Sequence, residues 1–342
     1  MPGPKKTVNI ITNIANGAGL QKDAELFSAL LESLGHTPRL IAYDRPHTGL
    51  SYPADINVFM EVMVPYLLNM APVNFFMPNS EWYEFISTEC ALPRINLVLC
   101  KTHDCEEIWG RKLGRTYYTG FEAADLSNNT NVLNKDVAFL HLAGNSGTKN
   151  TRAVVDCWRE FRPPYPVTIV SRDPEIRTLC CGIPNVKYEQ RIADSHVTHA
   201  LNSFRFHLMP SEYEGYGQGL HEALGCGGIV LTTNAPPMTE FPGIPEELLI
   251  PSTGKFTRRL ATCHSVSAAG VMESVERAVA MSNDKLVQLS LAARAGFEAE
   301  RNAFRDFLRT HLAAPVIRRY SGGKDIQAAC GMLAAHASAN GI

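Results

Sequence analysis

Two glutamates, Glu214 and Glu222, stand eight positions apart across a glycine-rich turn that opens an Ala/Leu helix. The stretch reads Pro210-Ser211-Glu212-Tyr213-Glu214-Gly215-Tyr216-Gly217-Gln218-Gly219-Leu220-His221-Glu222-Ala223-Leu224-Gly225-Cys226-Gly227-Gly228. Glycine lets a backbone come close to a ligand. A helix start offers free N–H groups and a positive dipole to phosphate, and carboxylates accept hydrogen bonds from hydroxyls. The combination suits a sugar attached to a diphosphate. Inside one amphipathic helix a Glu-x7-Glu repeat would only mark a solvated face. Glu214, however, precedes a Gly-x-Gly turn and cannot share one long helix with Glu222. Two carboxylates near a sugar also make a hydrolase a rival, against which the diphosphate-binding features argue.

Other residues of the right type punctuate the chain. Asn145 and Lys149 lie in the loop Leu142-Ala143-Gly144-Asn145-Ser146-Gly147-Thr148-Lys149-Asn150-Thr151, where a lysine in a glycine-containing turn can neutralise phosphate. Asn16-Gly17-Ala18-Gly19 is a partial echo of a dinucleotide loop, and makes Gly17 and Gly19 ligand-binding candidates. No Gly-x-Gly-x-x-Gly occurs near the first strand, so a nicotinamide cofactor is not expected. Glu61 interrupts the apolar runs 58–60 and 62–64, so it must be paired, neutral or turned toward a polar cleft. Asn79, Glu81, Trp82, Lys101, Thr102 and His103 recur after later strands, and His103 is a catalytic candidate through its proton chemistry. Cys100, His103 and Cys105 have no partner pair of similar spacing to complete a zinc site. No two aspartates stand two apart to bridge a diphosphate through magnesium, so metal-independent chemistry is expected.

The elements that must position these groups are strands alternating with helices. Thr7 to Thr12 reads as a strand, followed by a glycine loop and a helix with the apolar stripe Ala24, Phe27, Leu30, Leu31 and Leu34. Strands are predicted at 38–43, 56–63, 74–77, 95–100 and 116–119. A second series is predicted at 137–142, 167–170 and 206–209, with a helix from Thr151 to Phe161. Such alternation implies parallel sheets with ligand at their carboxyl edges. The polar stretch Ser127-Asn128-Asn129-Thr130-Asn131 is the linker candidate, and Phe297, Phe304, Phe307, Leu308 and Leu312 mark a long amphipathic helix.

Composition bounds the rest. The 342 residues exceed one ordinary domain and fit two. Lys plus Arg (32) nearly balance Asp plus Glu (34), so no global field holds a polyanion. The cluster Trp109-Gly110-Arg111-Lys112-Leu113-Gly114-Arg115-Thr116-Tyr117-Tyr118 mixes cations with aromatics, as a phosphate-contacting and base-stacking surface would, which keeps DNA open as a partner. Nine scattered cysteines without Cys-x-x-Cys spacing fit reduced thiols. No run of eighteen apolar residues occurs, so a cytoplasmic protein without integral membrane association is expected.

The segment from Pro210, continuing through Ile229-Val230-Leu231-Thr232-Thr233-Asn234-Ala235-Pro236-Pro237-Met238-Thr239-Glu240, resembles the nucleotide-sugar site of family 4 retaining glycosyltransferases. Their pattern runs Pro-Ser, a spacer, Glu-Gly-Phe/Tyr-Gly, Glu-Ala, Cys-Gly, and then a second acidic site. The resemblance implies the GT-B architecture: an α/β chain of two Rossmann-like domains facing across a cleft, with a C-terminal helix crossing back to the first. The corresponding division is 1–130 for the acceptor side, 131–312 for the nucleotide sugar, and a helical segment at 313–342 packing on the first domain. It implies that Glu222 holds the ribose and that Glu214 approaches the donor sugar. Gly215, Tyr216, Gly217, Gln218 and Gly219 would present the turn to sugar and phosphate, and Lys149 would stabilise the leaving diphosphate. The base would lie near Asn185-Val186-Lys187-Tyr188-Glu189. Asn145 stands where arginine is usual, leaving Arg152 as a substitute cation. No cofactor is implied beyond a UDP- or GDP-linked sugar as co-substrate. The hydroxyl acceptor stays open among saccharide, lipid-linked sugar, small molecule, protein and hydroxymethylated pyrimidine in DNA. An epimerase or hydrolase, or a non-catalytic nucleotide-sugar-binding protein, are the alternatives.

Overall fold

The computed structural model describes residues 4–14, 19–44 and 50–313. Short apolar runs alternating with helices build a first parallel sheet from β1 (Thr7–Thr12), β2 (Thr37–Ala42), β3 (Ile56–Met60), β4 (Val73–Met77), β5 (Leu97–Cys100) and β6 (Thr116–Tyr118). Its order is β2-β1-β3-β4-β5-β6. Side-chain alternation along β1 divides the core into two layers. Val8 and Ile10 pack with Phe27, Leu30 and Leu31 of α1 (Gly19–Ser33), whereas Ile11 faces the opposite layer. Beyond the short α2 (Phe85–Thr88), α3 (His103–Leu113) contributes Trp109 to that second layer.

The predicted strand at 56–63 ends at Met60, because Glu61 takes a left-handed backbone with φ of 66°. The 109–118 cluster, whose composition left a base-stacking surface open, puts its indole into the core. Trp109 is fully buried edge-on against Phe76 and Tyr83, while Arg111 and Lys112 pair with Glu107 and Glu89. An indole that completes a core is not offered to a nucleic-acid base.

The second sheet comprises β7 (Asp136–Gly144), β8 (Val167–Ser171), β9 (Val186–Glu189), β10 (Phe204–Met209), β11 (Ile229–Thr233) and β12 (Leu249–Ile250), in the order β12-β11-β10-β7-β8-β9. Its helices are α4 (Thr151–Phe161), α5 (Pro174–Cys180), α6 (Asp194–Ser203), α7 (Gln218–Gly225) and α8 (Ala268–Val279). A hairpin that the sequence reading did not foresee, β13 (Ser252–Arg258) and β14 (Ala261–Val266), leaves this domain and reaches the first. Leu260 N–H donates to Ser80 O (3.2 Å), and Arg259 pairs with Glu84 (3.1 Å).

Strand order reverses between β1 and β3 in the first sheet and between β7 and β10 in the second. In open parallel sheets the crevice at such a reversal is where ligands bind. The last helix, α9 (Asn283–Ala313), is 31 residues long, a span of about 46 Å at 1.5 Å per residue. It runs from the second domain to the first. Phe297 lies under Gly225 of α7, while Phe304 contacts Phe27 and Phe121 with ring centroids 6.0 and 5.0 Å away. Arg301 and Arg305 grip Glu122, and Arg294 grips Asp125, so the segment between β6 and β7 is tied to this helix. The expected crossover is therefore made by α9. Of the helical segment expected at 313–342, all but Ala313 lies outside the described residues.

Candidate active site at the domain interface

The polar loops at the second sheet's reversal come together. The loop after β7 bears Lys149, and the loop after β10 bears Glu214. The two are laced together by Glu212 N–H on Thr148 O (2.8 Å) and Asn150 Nδ2 on Pro210 O (2.8 Å). Beneath them His141 bridges β7 and β10, with Nδ1 on Leu208 O (2.8 Å) and Nε2 on Thr151 Oγ1 (2.9 Å). Burial pulls this imidazole down to about 4, so it is neutral, donating from Nδ1 and accepting at Nε2. Glu214 is 8% exposed and receives both the Lys149 ammonium and the Ser211 hydroxyl on Oε1. The sequence-predicted carboxylate and cation thus meet across 65 positions.

The turn after Glu214 is shaped by its glycines. Gly217 caps α7 with φ of 83°, a left-handed conformation that favours glycine. Gly215 is pressed against the first domain, where a Cβ would lie 2.3 Å from Asn79 Oδ1 and 3.2 Å from Glu81 Oε1. Tyr216 is buried, donates to Phe121 O (3.1 Å) and stacks on His221 at 4.0 Å. Gln218 donates to Glu122 O (3.0 Å). Gly219 and Gly19 have open space where a side chain would stand, and Gly17 lies outside the described residues. Glu222, one turn into α7, faces Lys22 and Asp23 of α1, and burial pushes its carboxyl up to about 7.

The first-domain wall gathers around Lys101, which lies 3.4 Å from Asp23. Glu61 accepts from Asn79 Nδ2 at 2.7 Å. Glu81 is pushed up to about 7 by burial, with Glu61 and Glu214 adding repulsion and Lys101 opposing it. Glu61 therefore joins the cluster, as the interrupted apolar run suggested. His103 stands apart from it. Its exposed ring stacks on Tyr118 at 3.8 Å, while its backbone N–H and that of Asp104 donate to Glu240 at 2.6 and 2.8 Å. Glu240 thus caps α3 from the opposite domain, where the helix dipole favours a carboxylate. Tyr213 adds a second cross-cleft bond to Asp104 (2.7 Å).

Arg152 pairs with Glu175 (2.8 Å) on the exposed side of α4, while Lys149 alone of the two meets Glu214; Asn145 is exposed in its loop. Residues 186–189 form the edge strand of the second sheet, with Tyr188 OH on Ser171 O (2.6 Å). Sequence reasoning missed His221 and Glu300. The buried His221 ring sets Nδ1 on Gly217 O at 3.0 Å and Nε2 2.8 Å from Glu300 Oε2; burial opposes its charged form, but the Glu300 carboxylate raises its proton affinity above the ordinary histidine value. The only local signal was a histidine on an otherwise apolar helix face. Its partner is 79 positions away on α9.

The two facing sheets, the doubled reversal and the returning helix decide the architecture. The chain has the GT-B fold. A sucrose-phosphate synthase of Thermosynechococcus elongatus is similar over 91% of this chain and 100% of its own, with a TM-score of 0.65 at 15% identity. The lipopolysaccharide outer core galactosyltransferase WaaB is similar over 90% of this chain and 98% of its own, with a TM-score of 0.61 at 12% identity. A trehalose-6-phosphate structure from E. coli, bound with UDP-2-fluoro glucose, is similar over 91% of this chain and 100% of its own, with a TM-score of 0.64 at 10% identity. No family profile matches the chain. A probable RNA methyltransferase of Anaeromyxobacter sp. (strain Fw109-5) is 65% identical over 37 residues, 10% of this chain and 11% of that protein. In this GT-B chain, the cleft between the domains is where Lys149, Glu214, Glu222 and the Lys101 cluster converge. Among the described residues no helix is long and apolar enough to cross a membrane.

Proposed function

We propose that the chain is a retaining, metal-independent glycosyltransferase that moves a sugar from a UDP- or GDP-linked donor to a hydroxyl acceptor. The observation that carries this reading is the Lys149–Glu214 pair set beside the glycine-capped start of α7 in a GT-B cleft. Free N–H groups at that helix start suit a diphosphate. Lys149 exchanges its carboxylate partner for the departing phosphate, and Glu214, so released, accepts from hydroxyls of the donor sugar. Glu222 accepts from the ribose hydroxyls. In the transfer, the bond from the anomeric carbon to the phosphate oxygen breaks. A bond from the same face to the acceptor oxygen forms, and the acceptor's proton passes to the leaving phosphate. No protein nucleophile is needed. Positioning two substrates in a closed cleft supplies the rest. The UDP-sugar analogue in the similar E. coli structure supports a nucleotide-sugar donor.

Thermal unfolding of wild type and Glu222→Ala with UDP, GDP, ADP, CMP and NAD in turn, without added metal, tests the reading. A nucleoside diphosphate raises Tm in wild type and not in the variant. A shift with NAD alone, or with nothing, refutes it.

A further inference from the structure

The first-domain wall of the cleft holds more carboxyl groups than cations. Its Lys101 is matched with Asp23, and across the cleft Lys149 is taken by Glu214. Glu61 and Glu81 are left over: among the described residues neither has a cation within ion-pair distance. Glu81 is 6% exposed, yet its Oε2 is buried without a hydrogen-bond partner, as is Asn79 Oδ1 beside it. Both side chains press on Gly215, next to Glu214. Glu61 is held there by a left-handed backbone that disfavours any residue but glycine. Such conformations persist where the surrounding structure enforces them, and they cluster at functional sites.

We propose that Glu61, Asn79 and Glu81 form an acceptor pocket for a molecule that carries a protonated amine beside the hydroxyl receiving the sugar, as amino sugars and aminocyclitols do. This rests on the transferase reading. The pocket presents acceptor atoms and unmatched carboxyls, and an ammonium brings three donors, no acceptor and the missing positive charge. A neutral polyol would fill the hydrogen bonds but would do nothing to stabilise the ionised carboxylates against burial. Burial holds Glu61 and Glu81 toward their neutral forms, and an arriving cation favours the ionised ones. Among the described residues no three His, Cys, Asp or Glu side chains are grouped to hold a metal ion, so an organic cation is the better match.

The test is titration calorimetry of the full chain at pH 7.5 with glucosamine against glucose, and with an aminocyclitol against the matching cyclitol, repeated on Glu81→Gln and Glu61→Gln. The amine of at least one pair binds wild type about ten-fold more tightly than its neutral counterpart, or better, a difference of about 1.4 kcal/mol. Either variant erases most of that preference while its Tm shows it folded. Equal binding within both pairs, no binding by any of the four, or a preference intact in both variants overturns the pocket. So does magnesium stabilising wild type but not Glu81→Gln. The nucleotide melts are read separately: a nucleoside diphosphate shift without amine preference removes only the pocket, whereas no nucleotide shift removes the transferase reading.

Discussion

Glu222→Gln should make the protein more stable, and more so at alkaline pH. The carboxyl of Glu222 is buried between α7 and α1. Burial raises it from 4.5 to about 7, with Lys22 opposing the shift and Asp23 adding to it. A carboxyl raised on folding penalises the folded state once the unfolded chain ionises. The penalty grows as pH climbs through 4.5 and is complete above about 7. The full displacement corresponds to about 3 kcal/mol. Partial exposure reduces it, so roughly 1–3 kcal/mol is expected at pH 8 and about a quarter of that at pH 5. Glutamine keeps the shape and removes the charge. At roughly 2–4 °C per kcal/mol for a domain of this size, Tm should rise by about 2–12 °C at pH 8. Melting curves of wild type and variant at both pH values measure it, each with and without the nucleoside diphosphate that stabilises wild type. The variant should melt higher alone yet gain less from nucleotide, the pattern of a residue kept for binding rather than stability. A Tm unchanged or lowered at pH 8, or a gain equal at pH 5 and pH 8, would refute the assignment of Glu222 as a buried acid.

Glu300→Gln removes the carboxylate that lies 2.8 Å from the buried His221 ring. Breaking one partner of a buried pair costs about 3–5 kcal/mol, so chemical denaturation at pH 6 should show a loss of that order. Burial lowers the His221 proton affinity but Glu300 outweighs it, leaving the histidine raised above 6.5. The stability from this pair is therefore full below 6.5 and fades as pH rises through the folded value, so the deficit of the variant should narrow at higher pH. Gly215→Ala places a methyl 2.3 Å from Asn79 Oδ1 at the seam between the domains. Asn79 must swing away, so turnover with saturating donor should fall at least about ten-fold while nucleotide affinity changes little; equal kinetics for the variant would show that the seam does not close during catalysis.

The alternation of strand and helix was legible in the sequence because it depends on neighbours: side-chain period, glycine breaks and helix starts. The same local logic located the Glu214 turn and the Lys149 loop, and flagged Glu61 from its polar intrusion into an apolar run. Tertiary closure alone decided which of these groups meet. Lys149 finds Glu214 because β7 and β10 are neighbours at the second sheet's reversal, Lys101 finds Asp23 within the first domain, and Glu240 reaches the start of α3 only because the domains face each other. Trp109 had the composition of a binding surface, yet the fold buried it, since Phe76 and Tyr83 lie where an indole can complete the core. Arg152 lies inside α4 on its solvent side and pairs with Glu175, whereas Lys149 precedes the helix in the loop that meets Glu214. Pairing between distant charges follows from topology and burial. Nothing in the spacing along the chain encodes it.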